Sequence, residues 1–112
     1  MSFSMTTPQF KDGSKDVTRR FGWWFLKAGD RLWGVEKAMG LQKGEKINRL
    51  GLIEVISTRP EPLNKITKED CVREGFPDFE PCNFVDMLQD HYGCEPDAIC
   101  NRIEFKHVRQ GI

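Results

Sequence analysis

A chain of 112 residues with 38% hydrophobic and 30% charged side chains is long enough for one hydrophobic core and short for two, and its composition is globular rather than disordered. Seventeen Lys and Arg balance seventeen Asp and Glu, so no bulk charge commits it to a nucleic acid or a membrane surface. No apolar run approaches the roughly 20 residues needed to cross a bilayer, and the opening MSFSMTTPQFKDG lacks the basic segment and apolar block of a secretory signal, which predicts one cytoplasmic domain over residues 1–112.

Thr7 and Pro8 open the chain as a helix cap and first helical residue. A turn at DGSK leads into DVTRRFGWWF, which is rich in β-branched and aromatic residues and reads as a strand. A second turn at Ala28–Asp30 precedes another strand, and the lysine-rich, glycine-punctuated GLQKGEKINR reads as a loop. LGLIEVIST is the strongest strand of all. After the prolines of PEP, Thr67-x-x-Asp70 is a capping box for a short helix that Gly75 ends. EPCNFVDMLQDHYG predicts a second helix, with Phe84, Val85, Leu88 and Tyr92 on one stripe and Gly93 as its stop. In the last segment Ile99, Ile103 and Phe105 alternate with Arg102, Glu104 and Lys106, the period of a half-buried strand. About five strands with short helices predict an α+β fold in which a small barrel removes exposed edges.

The zero net charge hides an asymmetry. Residues 1–56 hold ten Lys and Arg against six Asp and Glu, and residues 57–112 hold seven against eleven. The first half gathers Lys15, Arg19 and Arg20 around Thr18 and follows them with Trp23 and Trp24. Cations beside flat rings suit a partner with phosphates and bases, and they equally suit a solvated strand edge. Adjacent strand residues face opposite ways, so one of Trp23 and Trp24 is expected in the core and the other outside. Lys43 and Lys46, with Arg49, are phosphate contacts or a solvated hairpin. The acidic second half, with Asp86, Asp90 and Asp97, offers a surface to a protein partner.

Cys71, Cys82, Cys94 and Cys100 have no standard zinc spacing. A site from Cys82, Cys94, Cys100 and His107 is weaker than the reading of reduced, largely buried thiols, so no metal or cofactor is expected. His91 and His107 belong to no Ser/His/Asp order, and GLQKG lacks the spacing and setting of a phosphate-binding loop.

GSKDVTRR resembles the signature near the start of ASCH domains, a branch of the PUA-like superfamily. Gly13, Lys15 and Arg20 fall on its fixed positions, and Thr18 falls where members carry glutamate or threonine. LKAGD, IEVIST, EPLNKITKEDCVREGF and NRIEFKHV follow in the family's order, from about Thr7 to Val108. The resemblance implies a PUA-like β-barrel of five or six strands with flanking helices and a cleft lined by the GxK segment. It implies binding of RNA or a nucleotide through GxKxxTxR, with Gly13, Lys15, Arg19, Arg20, Trp23, Trp24, Lys43 and Lys46 as contacts.

One branch of the family hydrolyses the acetyl amide of acetylated cytidine, and some members cleave RNA. Carried over by position, the amidohydrolase residues are Lys15, Thr18 and Glu74. The chemistry is sound: a threonine hydroxyl needs a neighbouring base, and a lysine serves once burial or nearby cations lower its pKa. Glutamate would protonate the leaving amine or orient the hydroxyl, and Arg20 would hold an oxyanion or phosphate. Lys15 and Thr18 differ in strand parity, so they converge only if Lys15 lies in the turn or a bulge intervenes. The segment from Trp23 to Arg49 is longer and more aromatic than in the amidohydrolases, which points to a different pocket shape.

Overall fold

β-Branched and apolar residues concentrated at LGLIEVIST nucleate the longest strand of the molecule. A computed structural model describes residues 1–37, 44 and 46–109. Its elements are α1 (Thr7–Lys11), β1 (Val17–Arg20), β2 (Arg31–Val35), β3 (Arg49–Pro62), α2 (Lys68–Arg73), α3 (Pro81–Tyr92) and β4 (Ile99–Val108), with 3₁₀ turns at Ser4–Thr6 and Leu63–Lys65. The four strands form one antiparallel sheet in the order β1-β4-β3-β2.

The sheet curls into a half-barrel. A register shift between Val55 and Ser57 leaves Ile56 as an extra residue in β3, and such a bulge bends and twists its strand. Ser2 makes an isolated parallel bridge to Val35 at the β2 edge. From the other end of the sheet, Arg20 on β1 donates through Nη2 to the Ser2 carbonyl at 2.6 Å. The two outer strands therefore approach each other across residues 1–3. The described residues contain four strands and this bridge, so the expected count of five or six is reduced to a four-stranded half-barrel.

Several local expectations shift by a few residues. β3 runs on through Pro60 and Pro62 because β2 pairs only with its first half, leaving the second half as an edge. Leu63 N–H donates to Ala98 O at 2.9 Å, and the resulting parity turns the nitrogens of Pro60 and Pro62 to the unpaired side. The strand read from DVTRRFGWWF stops at Arg20, where Gly22 (φ 144°) and Trp23 (φ 58°) turn the chain. Asn101 Nδ2 catches that turn through the Gly22 and Trp23 carbonyls. Thr7 is the first residue of α1 rather than its cap, and its hydroxyl donates to Phe3 O. Half of the expected capping box of α2 is made: Thr67 Oγ1 accepts from Asp70 N at 3.1 Å, but the Asp70 carboxylate turns to Arg19 and Arg102 instead of back to the Thr67 N–H. Gly75 (φ 100°) and Gly93 (φ 65°) end α2 and α3 in the left-handed backbone that glycine favours.

The core has three parts. Phe3, Phe10, Ile53 and Phe105 pack under α1; Leu26, Val55 and Ile103 fill the sheet; Leu63, Ile66, Cys71, Phe84, Val85 and Leu88 bind α2 and α3 together. Tyr92 leaves the predicted stripe: it is half exposed and meets Phe21 edge-on at 5.2 Å. Gly34 is required by close approach, since a Cβ there would lie 2.3 Å from Phe10 Cζ. Gly34→Ala is expected to destabilise the fold by about 1–3 kcal/mol through overpacking, read as a lower urea midpoint. An unchanged midpoint would show that Phe10 can move aside.

Candidate functional site

The GSK segment is fixed from three directions before β1 begins. Lys15 N–H donates to Gln9 O at the end of α1, and Asp16 N–H donates to Arg73 O on α2. His107 on β4 donates from Nε2 to Lys15 O at 2.8 Å; a carbonyl only accepts, so that nitrogen carries the proton. Lys15 thus lies in the turn, two residues ahead of the strand, and the parity conflict with Thr18 disappears.

Glu74 is the C-cap of α2, and both its oxygens are taken. Lys15 Nζ donates to Glu74 Oε1 at 2.9 Å and to the Glu74 carbonyl at 2.6 Å, and Arg19 Nη1 donates to Oε2 at 3.0 Å. The Arg19 side chain has 0% exposure and also donates to Glu61 on β3 and Asp70 on α2. On its far side Asp70 receives Arg102 Nε at 2.8 Å and Nη2 at 3.1 Å. Three cations, Lys15, Arg19 and Arg102, are interleaved with three carboxylates, Glu61, Asp70 and Glu74.

Burial pushes the Lys15 ammonium below the usual lysine value, outweighing the attraction of Glu74, with Arg20 and Arg19 adding to the depression. Burial would raise Asp70, but the guanidinium groups of Arg102 and Arg19 hold it well below the carboxylate range. Thr18 is buried, and its Oγ1 accepts from Arg20 Nε at 3.0 Å.

These groups open into a cleft of about 680 Å³. Lys15, Thr18, Arg20 and Glu74 supply polar lining, residues 1–6 contribute one stretch of wall, and Phe76, Phe84, Met87 and Tyr92 contribute apolar surface. A cavity of this size with a few convergent polar groups suits a small organic ligand.

The expected contacts divide clearly. Lys15, Thr18, Glu74, Arg19, Arg20 and Trp23 all line the cleft. Arg19, expected as a phosphate contact, is enclosed by carboxylates and acts on Glu74 instead. Trp23 is half-buried against the cluster of Leu26, Val55 and Ile103, whereas Trp24 is 55% exposed and outside the cleft lining; neither is a core residue, and the division arises in the turn after β1 rather than from strand alternation. Gly13 (φ 81°) shapes the turn without lining the cleft. Lys46 is exposed and likewise outside the lining, and Lys43 lies outside the described residues.

The sequence reading missed Asp70, Glu61 and Arg102 as supports of the site. Asp70 was legible only as a cap residue, and Arg102 sat in the polar register of β4, yet it is buried against Asp70. Asp86 and Asp90 line a second, shallow depression with Asp78, and Asp97 does not. All four cysteines are free: Cys71 and Cys100 are buried, and burial pushes the Cys100 thiol up to about 11. Among the described residues no group of His, Cys, Asp or Glu has the arrangement of a metal site.

No family model matches the chain, and no curated protein matches it. Among solved structures it is similar to protein EF3133 from Enterococcus faecalis V583, of the family DUF984, with a TM-score of 0.62 and 19% sequence identity over 94% of this chain and 71% of that chain. At that identity the likeness establishes the fold alone: a small α+β unit built on a curled antiparallel sheet.

Proposed function

We propose that this is an ASCH-type, PUA-like barrel whose cleft takes a nucleoside-sized ligand and hydrolyses an acyl amide on it, as in acetylated cytidine. The observation that carries this reading is the convergence of Lys15 from a turn, Thr18 from β1 and Glu74 from the end of α2 on one cleft. In the barrel reading, residues 1–3 supply the further pairing beside β2. Four free cysteines suit a protein of the reducing cytoplasm.

Arg20 occupies a lone pair of Thr18 Oγ1, which leaves the hydroxyl hydrogen for a base and places a positive charge beside the developing alkoxide. Lys15 spends its contacts on Glu74, and its lowered pKa brings the neutral amine within reach. Neutral Lys15 takes the Thr18 proton as Oγ1 attacks the acyl carbon. The resulting ammonium returns that proton to the leaving nitrogen as the C–N bond breaks. Water, deprotonated by the same amine, then cleaves the threonyl ester and releases acetate. Glu74, held from behind by Arg19, orients Lys15 throughout.

Purified protein incubated with acetylated cytidine is expected to yield cytidine and acetate in a chromatographic assay. No conversion above the buffer rate would overturn the hydrolase reading. Binding of RNA or a nucleotide without turnover is the second reading, favoured by the aromatic rings of Trp23 and Tyr92 in the cleft lining. Because Lys15 and Arg19 are already paired with carboxylates, such binding should have a shallow salt dependence, with roughly 0.7 of logarithmic slope per phosphate neutralised on a single strand.

A further inference from the structure

The arginines of this protein follow a rule that one of them breaks. Among the described residues, each of the other arginines that is buried or half-buried holds carboxylates: Arg19 holds Glu61, Asp70 and Glu74, Arg73 holds Asp16 and Glu104, and Arg102 holds Asp70. Half-buried Arg20 has no salt-bridge partner among them. Its hydrogen bonds go to neutral oxygens, the Thr18 hydroxyl and the Ser2 carbonyl, and its guanidinium lies 4.9 Å from the centroid of the buried Phe3 ring. Neither bond uses Nη1, and Arg20 lines the cleft.

A cation withdrawn from water without a counterion is costly, and folded proteins keep such charges paired. Glu74 attracts the Arg20 charge through space, but burial outweighs that attraction, and neither Glu74 nor any other carboxylate of the cluster contacts Arg20, all of them being engaged by Lys15, Arg19 and Arg102. We infer that the ligand itself supplies the missing charge: the cleft takes an oxyanion, a carboxylate or a phosphate monoester, seated on Arg20 and attached to an apolar or aromatic body that lies against Phe76, Phe84, Met87 and Tyr92. Planar guanidinium recognises both anions through paired N–H donors. Nε is held by Thr18 and one hydrogen of Nη2 by Ser2, so the anion is seated on Nη1 and the remaining hydrogen of Nη2. The inference rests on the cleft being a small-molecule site and is independent of hydrolysis.

Calorimetric titration of the whole protein with two matched pairs tests it: phenyl phosphate against benzyl alcohol, and phenylacetate against phenylacetamide. The charged member of at least one pair is expected to bind tenfold or more tightly than its neutral counterpart, with the gap shrinking as salt is added. The pair with the larger gap identifies the anion as phosphate or carboxylate. Arg20→Gln should bring charged and neutral members within twofold of each other, while Arg59→Gln, at an exposed arginine, should leave the gap intact. Should Arg20→Gln fail to fold for want of its tie to Ser2, Arg20→Lys, which keeps one charge but loses the paired N–H donors, should narrow the gap without abolishing it, and a gap that neither Arg20→Lys nor added salt reduces would overturn the inference. Equal binding of charged and neutral members, no binding of any of the four, or a preference that survives Arg20→Gln would overturn the inference. A boronic acid that binds in an Arg20-dependent way while neither anion does would also overturn it, assigning Arg20 to the tetrahedral oxyanion of a reaction. Every reading here is of binding, so loss of the hydrolase proposal in the acetylated-cytidine assay leaves it standing.

Discussion

Lys15→Met is expected to reduce kcat/KM for acetylated cytidine by at least about 10³-fold while the thermal unfolding curve stays cooperative, because general-base catalysis alone is worth roughly 10²–10⁴-fold and the nucleophile is inert without it. The fold should tolerate the change, since Glu74 keeps Arg19 on its second oxygen. Thr18→Val, which preserves shape and removes the hydroxyl, should be equally inactive; retained turnover in both variants would sink the mechanism. The pH profile follows from the same residue. Neutral Lys15 is the working form, so kcat/KM should rise with pH and level off below the ordinary lysine value, because burial depresses the ammonium more than Glu74 supports it. A rise that continues to the value of a free lysine would mean that the base is another group.

Arg19→Met is expected to be the most damaging single substitution for stability. It strips one guanidinium from Glu61, Asp70 and Glu74 at once, in a place where the arginine side chain has no exposure. Removing one partner of a buried ion pair costs about 3–5 kcal/mol, a large part of the roughly 5–15 kcal/mol that holds a domain together. The melting temperature should fall by more than about 10 °C, measured by circular dichroism. A wild-type melting curve would show that the cluster is not under strain from its charges.

Acid titration reports on the same cluster. Asp70 is depressed in the folded protein, so its contribution is fully present above the unfolded value of about 3.9 and is lost as pH falls from there through the folded value. Urea stability of the wild type should therefore decline below about pH 4. The decline should be shallower in Asp70→Asn, which no longer titrates.

The elements governed by neighbouring residues were legible in the sequence. The Thr67 cap of α2, the stops at Gly75 and Gly93, the turn before β2 and the apolar first half of β3 all depend on interactions within a few residues, and all stand where local chemistry puts them. The predicted strand at DVTRRFGWWF is the instructive failure. Its aromatic and β-branched residues favour extension as far as the ring-rich end, but Asn101, about eighty residues away, holds the chain in a turn at Gly22 and Trp23. Tyr92 likewise fits the apolar stripe of α3 by period, and it lies half exposed at the cleft instead, edge-on to the exposed Phe21 ring.

By itself the sequence determined an α+β fold, a GSK turn before a short strand, and the residue types Lys15, Thr18, Arg20 and Glu74 as candidates for chemistry. Only the tertiary structure decided that they share one cleft, that Arg19 serves the carboxylates instead of a ligand, and that Arg20 alone among the withdrawn arginines of the described residues lacks an acid. The reason is physical. Caps, turns and strand periods are set by contacts a few residues apart, whereas the pairing of a buried charge depends on which distant strands and helices the fold brings around it: here Glu61, Asp70, Glu74 and Arg102 lie 42, 51, 55 and 83 positions beyond Arg19.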